Sequence, residues 1–228
     1  MEQTWTFTAA SAGSLAAFVA ILLAVCSAAI WGVQRATEKG FRFAIGLVIC
    51  LGIFSAVVAS GKVEASPVPR LLILMLGTML AGVALAFSPL GKKLSEKTPV
   101  WALVGFQAFR LPLECVLHAW AAQGTVPVSM TWDGANLDWL SGALALVSAP
   151  LCRQQQGAAW LANSVGFVLL LNVMRTAILS SPLPFAWPVD PPLLLAFHLP
   201  YALIVPVCVA GALAGHLILT RALLSRSA

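Results

Sequence analysis

The stretch "FQAFRLPLECVLHAW", from Phe106 to Trp120, lies in an apolar run that is long enough to cross a bilayer, yet it contains Arg110, Glu114 and His118. Positions i, i+4 and i+8 fall on one face of a helix, so the three ionisable side chains form one stripe. A charged side chain at the centre of a membrane helix costs at least about 2.5–3.5 kcal/mol, so such residues face the interior of a helical bundle. The stretch therefore predicts a membrane bundle with a polar interior.

The composition of the whole chain supports this interpretation. The 228 residues are 60% hydrophobic and only 9% charged, with a mean hydropathy of +0.93. A soluble domain of this size has no interior large enough for so much apolar surface. We therefore expect one all-α integral membrane domain over residues 1–228, with the lipid bilayer as its surroundings. The net charge of +5 is interpreted as a topology signal and not as a nucleic-acid site.

Seven apolar segments are separated by polar loops, and they predict seven transmembrane helices. They cover residues 10–33, 42–60, 69–88, 99–123, 136–152, 157–180 and 192–220. The pair Asp190-Pro191 predicts the start of the last helix, as a capping residue followed by proline. The fifth segment is the shortest, and a re-entrant hairpin there would leave six spans.

Basic residues divide unequally between alternate loops. One side of the membrane would collect nine of them, namely Arg35, Lys39, Arg42, Lys92, Lys93, Lys97, Arg153, Arg221 and Arg226. The other side would collect only Lys62 and Arg70. The positive-inside rule makes the first side cytoplasmic. The sequence thus predicts an outside N-terminus and a cytoplasmic C-terminus, in the cytoplasmic (inner) membrane of a bacterium.

Polar side chains within the apolar segments concentrate in the outer halves of the last four segments, apart from His216 and Asn163. We expect these residues to line an outward-facing pocket in spans four to seven. The candidate site residues are Arg110, Glu114, His118, Asp138, Asn172, Arg175, His198 and Tyr201. Glu114 is expected to pair with Arg110 or Arg175, and His118, Arg175 and His198 are expected to converge.

Three classes of function, and one purely structural alternative, fit these residues. In a binding or transport protein, Arg110 and Arg175 would hold a small anionic or zwitterionic solute, while Glu114 and His118 would carry protons. In an intramembrane enzyme, Glu114 or His118 would act as a general base. In a haem or metal protein, His118 and His198 would be the ligands. The structural alternative is an ion-pair lock without a ligand.

The last apolar segment also indicates close helix packing. Gly211 and Gly215 have the small-xxx-small spacing that lets helix backbones approach each other. The partner would be another helix of this chain or a second copy of it.

Four stretches of the second half, "FRLPLECVLHAW", "VPVSMTWDGANLDWLSG", "NVMRTAILSSPLPF" and "FHLPYALIVPVCVAGALAGHL", resemble an uncharacterised family of bacterial polytopic integral membrane proteins. The resemblance implies the membrane fold and no activity. "NVMR" with a later histidine also resembles exosortases and archaeosortases, which are membrane transpeptidases with an outward-facing Cys, Arg and His. Arg175 and His198 would match the Arg and His. The Cys of those enzymes has no match in this chain. Cys152 lies at the predicted cytoplasmic end of its segment and lacks the Cys-Ser-Gly context of the family, and Cys115 lies on a different helix from the one the family pattern requires.

Overall fold

The computed structural model describes residues 6–62 and 69–227, and within these ranges the regular secondary structure is entirely helical. The α-helices are α1 (Ala12–Thr37), α2 (Gly40–Ala59), α3 (Pro69–Phe87), α4 (Pro89–Lys97), α5 (Val100–Gly105), α6 (Arg110–Ala122), α7 (Asp138–Leu151), α8 (Gln156–Ser180) and α9 (Ala210–Ser227). A 3₁₀ turn, Phe106–Phe109, joins α5 to α6, and a π-helical turn, Ile204–Val209, leads into α9.

Several of these helices are long and apolar enough to cross a membrane. Five such spans are Ala12–Thr37, Gly40–Ala59, Val100–Ala122, Gln156–Ser180 and Tyr201–Arg226. A sixth arises if α3 and α4, which are bent by 58° at their junction, form one broken span. The predicted all-α architecture is therefore confirmed, and the length and hydropathy of these helices are those of a membrane protein.

The fifth predicted span is shorter in the structure than the sequence suggests. Helix α7 has only 14 residues, about 21 Å at 1.5 Å per residue, whereas the hydrocarbon core is about 30 Å thick. Its start packs on the start of α6, where a Cβ at Gly142 would lie 2.3 Å from the Leu111 backbone nitrogen. Its end packs beside α5, where a Cβ at Gly105 would lie 3.7 Å from the Ala149 Cβ. The irregular residues before α7 therefore lie beside the C-terminal half of α6.

The last span also begins later than predicted. Residues 184–194 contain no helix. A short 3₁₀ turn, Leu195–Phe197, follows them, and His198 after this turn has an extended backbone. The membrane-length helix begins only at Tyr201. The prediction of a helix start at Asp190-Pro191 is thus wrong. Proline lacks the backbone N–H of a helix and disfavours helical geometry in the residue before it, and this stretch is rich in proline.

Contacts between distant parts of the chain define the two ends of the bundle. The Ser11 backbone N–H donates to the Gln123 side-chain oxygen at 2.7 Å, which places the start of α1 beside the end of α6. The Arg226 guanidinium donates to the Thr98 carbonyl at 3.1 Å, which places the end of α9 beside the start of α5. The beginning of α1 and the end of α9 therefore lie at opposite ends of the bundle.

The small residues of α9 are used inside the chain. A Cβ at Gly215 would lie 2.7 Å from the Gln107 side-chain nitrogen and 3.1 Å from the Phe106 ring, whereas one at Gly211 would only touch Val25 at 4.0 Å. The close approach that the spacing predicts is therefore an intramolecular one at Gly215. A second copy of the chain packing on these glycines stays a prediction without structural support.

Candidate functional site: a buried polar network beside an apolar cavity

Arg110 lies at the centre of a buried polar network and is 1% exposed. Its Nε donates to Asp138 Oδ2 at 2.7 Å, and its Nη2 donates to Asp138 Oδ1, so the ion pair is bidentate. Its Nη1 donates to Ser141 Oγ at 2.6 Å and to the Gly166 carbonyl at 2.9 Å. The guanidinium is thus neutralised in place and links α6 to α7 and α8.

The same guanidinium also contacts α9 through His216, with 3.0 Å between Arg110 Nη1 and His216 Nε2. Because a guanidinium has no acceptor, this contact is a hydrogen bond when His216 Nε2 is the unprotonated ring nitrogen, and the two Nη1 hydrogens are then shared among Ser141, Gly166 and His216. The other ring nitrogen then donates to Asn163 Oδ1 at 2.9 Å, and Asn163 Nδ2 donates to Thr220 Oγ1 at 2.7 Å. The Thr220 hydroxyl closes the chain on the His216 carbonyl at 2.9 Å. The network therefore holds a neutral His216 in one tautomer.

Glu114 is also 1% exposed, but only half of its carboxylate is satisfied. Oε1 accepts a hydrogen bond from Asn136 Nδ2 at 2.6 Å, while Oε2 is buried without a partner among the described residues. Asn136 in turn accepts from the Asp138 backbone N–H at 3.1 Å. The expected pairing of Glu114 with Arg110 or Arg175 is wrong, because Asp138 occupies Arg110 from the neighbouring helix.

An apolar cavity of about 400 Å³ lies against this network. Arg110, Glu114 and Asp138 are among its lining residues. Most of the remaining lining is hydrocarbon or thioether from α3, α6, α8 and the segment entering α9, including Met79, Leu113, Leu170, Met174, Val205 and Ala212. The volume falls within the range of about 300–1,000 Å³ that is common for small-molecule sites.

The cavity reaches the side of the bundle between α3 and α8. Leu76 on α3 and Ile178 on α8 both line it, and they are 60% and 42% exposed. Helix α3 packs against α4 and α9, whereas α8 packs against α7 and α9. The gap between α3 and α8 therefore opens toward the surface that two apolar helices present to their surroundings.

The two candidate histidines outside the network have separate aromatic neighbours. The His118 ring stacks on Trp132 with 4.2 Å between ring centroids, and its Nδ1 is 3.4 Å from Asp133 Oδ2. The His198 ring stacks on Phe7 at 4.0 Å. In residues 6–62 and 69–227, no group of three or more His, Cys, Asp or Glu side chains is placed to hold a metal ion. These contacts give the haem hypothesis no support, and it stays a prediction.

Arg175 belongs to yet another set of contacts. Its Nη1 donates to Asn172 Oδ1 at 3.3 Å, and its guanidinium lies 5.5 Å from the centre of the Trp187 ring. Asn172 Nδ2 donates to the Ala135 carbonyl at 2.7 Å, which ties the irregular segment before α7 to α8. In the described part of the chain, no hydrogen bond, ion pair or ring contact joins His118, Arg175 and His198, so their convergence stays a prediction.

Tyr201, the last candidate, has a packing role. It is 4% exposed, its hydroxyl accepts a hydrogen bond from the Ala10 backbone at 2.9 Å, and its ring packs edge-on against Trp120 with 5.0 Å between centroids. Trp120 packs in the same way on Phe18. Tyr201 therefore holds the start of α1 against the core.

Sequence reasoning missed the partners that complete the network. Ser141, Asn163 and His216 are each less than 5% exposed and belong to the network around Arg110, although none of them was among the candidate site residues. Their signal was present as polar side chains in apolar runs. It was misjudged because α7 was expected to start at the outer surface, which placed Asp138 too far from these residues.

Comparison with known proteins adds no identity to this site. No protein-family model, curated protein or solved structure matches the chain.

Proposed function

We propose that the chain is a bacterial cytoplasmic-membrane protein that binds a hydrophobic molecule, taken from the bilayer, in the cavity between α3 and α8. The observation that carries this proposal is the shape of that cavity: about 400 Å³, mostly apolar walls, and an edge reaching the lipid-facing side of the bundle. Burial of apolar surface favours an apolar occupant, because each buried CH₂ group contributes about 0.8 kcal/mol.

The proposal includes a seven-crossing topology with the N-terminus outside. In it, α7 together with the irregular residues before it forms the fifth crossing. Irregular backbone is tolerated at membrane depth where protein buries it, and Thr131 and Asn136 in that segment are 1% and 0% exposed. The opposite ends of α1 and α9 and the unequal distribution of basic residues also support this topology.

The contacts of Arg110 favour a hydrophobic molecule over the small anionic or zwitterionic solute expected from the sequence. Asp138 already neutralises the guanidinium, which also donates to Ser141 and Gly166. Arg175, the second expected anion ligand, is not among the residues that line the cavity. An anion entering the cavity would meet mostly hydrocarbon, which does not compensate for the loss of its hydration.

An intramembrane enzyme is the second candidate, because the unpartnered Glu114 Oε2 is an acceptor of the kind that a general base provides. The exosortase-like version has less support. Cys115 is exposed, and it shares no described contact with Arg175 or His198.

Photolabelling tests the proposed function. The protein would be placed in vesicles with a dodecane that carries a diazirine, irradiated, and digested for mapping of the labelled peptides. We expect labels on cavity residues such as Met79, Met174 and Leu113, and their loss on addition of excess plain dodecane. Ala177→Phe, which fills the cavity, should lower this labelling.

The matched control is Ala56→Phe, on an exposed face of α2 away from the cavity, which should leave the cavity labels unchanged. Labels confined to exposed lipid-facing positions such as Ile53 and Val168, with none in the cavity, would overturn the proposal.

A further inference from the structure

The carboxyl groups at the polar edge of the cavity outnumber the cations that line it. Arg110 is the one guanidinium among the described lining residues, whereas Asp138 and Glu114 are two carboxyl groups. The other titratable groups nearby are His216, which its hydrogen bonds hold in the neutral form, and the Cys208 thiol on the cavity wall. One of the two carboxyl groups therefore lacks a cationic partner among the described residues.

The position of the free oxygen identifies that carboxylate. Asp138 has both oxygens on the Arg110 guanidinium. Glu114 is among the residues that line the cavity, its Oε1 accepts from Asn136, and its Oε2 is buried without a hydrogen-bond partner among the described residues. A buried acceptor without a donor destabilises a fold. A ligand that brings a donor to Oε2 would remove that cost.

We infer that the ligand is an amphiphile with an amine head, whose ammonium group binds Glu114 Oε2 while its hydrocarbon chain fills the cavity between α3 and α8. This inference rests on the proposed function, since it assigns the head group of the molecule that the cavity takes. An ammonium group supplies both the missing positive charge and the missing donor. A hydroxyl would supply only the donor, and a carboxylate head would add a further negative charge beside Glu114 and Asp138.

Competition by chain-matched molecules tests the inference. Dodecylamine, dodecanol and dodecanoic acid would each compete against the diazirine-bearing dodecane in wild-type protein at neutral pH. We expect the amine to compete about tenfold better than the alcohol, because its hydrogen bond to Glu114 is charge-assisted and such a bond strengthens binding by about this factor. The acid should compete worst. In Glu114→Gln the advantage of the amine over the alcohol should disappear while cavity labelling by the alkane remains.

Asp133→Asn is the matched control, because Asp133 is a partly exposed carboxylate beside His118 and does not line the cavity. It should keep the amine preference. Equal competition by dodecylamine, dodecanol and dodecanoic acid, or stronger competition by the acid, would overturn the amine assignment. It would not contradict the proposal that the cavity binds a hydrophobic molecule. Absence of any cavity labelling in the wild type would overturn both. The wild-type series alone decides the matter if Glu114→Gln does not fold.

The amine has two possible sources, which a vesicle experiment separates. The protein would be reconstituted in vesicles made only of choline-headed lipid, with or without ethanolamine-headed lipid, and released for native mass spectrometry. A bound ethanolamine-headed lipid would identify the bilayer as the source. Binding of added dodecylamine without retention of that lipid would indicate an amine that reaches the cavity separately.

Discussion

At the scale of single residues, Arg110 joins four helices of the bundle, its own α6 and three others. Its guanidinium reaches α7 through Asp138 and Ser141, α8 through the Gly166 carbonyl and α9 through His216. Asp138 is only 5% exposed. Removal of Arg110 would therefore leave a buried carboxylate without a counter-charge. The stability of the bundle should therefore depend on the pair much more than on any exposed charge.

We expect Arg110→Leu to lower the free energy of unfolding by about 3–5 kcal/mol, since it leaves a buried carboxylate unpaired. The double variant with Asp138→Leu should recover much of this loss, because it removes both charges. Denaturant unfolding in micelles, followed by tryptophan fluorescence, measures both. Arg175→Leu is the control and should cost at most about 1 kcal/mol, since Arg175 is exposed beside Trp187. Equal losses for Arg110→Leu and Arg175→Leu would refute the network.

At this scale the sequence identified Arg110 and Glu114 correctly as buried polar residues, because a lone charge in lipid is too costly. Their partners were harder to predict. Helical spacing gives the face of a residue on its own helix, but neither the rotation of neighbouring helices nor their relative depth. Asn136 was not among the candidate site residues, yet it is the hydrogen-bond partner of Glu114.

Among the elements, α7 is the one whose position most affects the site, since Asp138 and Ser141 stand on it. Its first turns lie so close to α6 that a Cβ at Gly142 would meet the Leu111 backbone at 2.3 Å. Backbone atoms cannot rotate aside as a flexible side chain can. A larger residue at this position must therefore push α7 away from α6.

We expect Gly142→Ala to destabilise the fold by about 1–3 kcal/mol, as overpacking commonly does. The control is Gly46→Ala in α2, where an added Cβ meets nothing within 4 Å. Alanine there should be neutral or stabilising by up to about 1 kcal/mol. Thermal unfolding of the two purified variants measures the difference. A Gly142→Ala protein as stable as Gly46→Ala would mean that α7 does not approach α6 so closely.

The sequence predicted the existence of α7 but not its irregular approach. Apolar periodicity detects the helical residues 138–151, whereas nothing in the preceding polar stretch distinguishes a surface loop from a buried segment. Asn136 in this segment is bonded to Glu114, and the neighbouring Ala135 carbonyl is bonded to Asn172 of α8. Local sequence does not encode such contacts, so the depth of the segment could not be predicted.

For the molecule as a whole, the proposed topology makes a prediction about the two sides of the membrane. A reporter enzyme that is active only outside the cytoplasm should be silent when fused after Ala228, because the nine-to-two division of basic residues predicts that this end is inside. The same reporter fused after Gln123, at the end of α6, should be active and serves as the control. Strong activity after Ala228 would contradict seven crossings and favour a re-entrant fifth segment.

The helical membrane architecture could be predicted from the sequence because long apolar runs have few alternatives in a bilayer. The cavity could not, because it arises where α3 and α8 do not close on each other, and no single segment records that gap. Polar residues alone suggested an aqueous pocket open to the outside. The structure instead combines a few polar groups with a much larger apolar wall.

A density map of the protein in lipid nanodiscs, prepared from its native membrane without added ligand, tests the central proposal most directly. We expect elongated density in the cavity between α3 and α8, with one end within hydrogen-bond distance of Glu114 Oε2. Closure of the gap by direct packing of Leu76 on Ile178, or an open cavity with no elongated density, would contradict it.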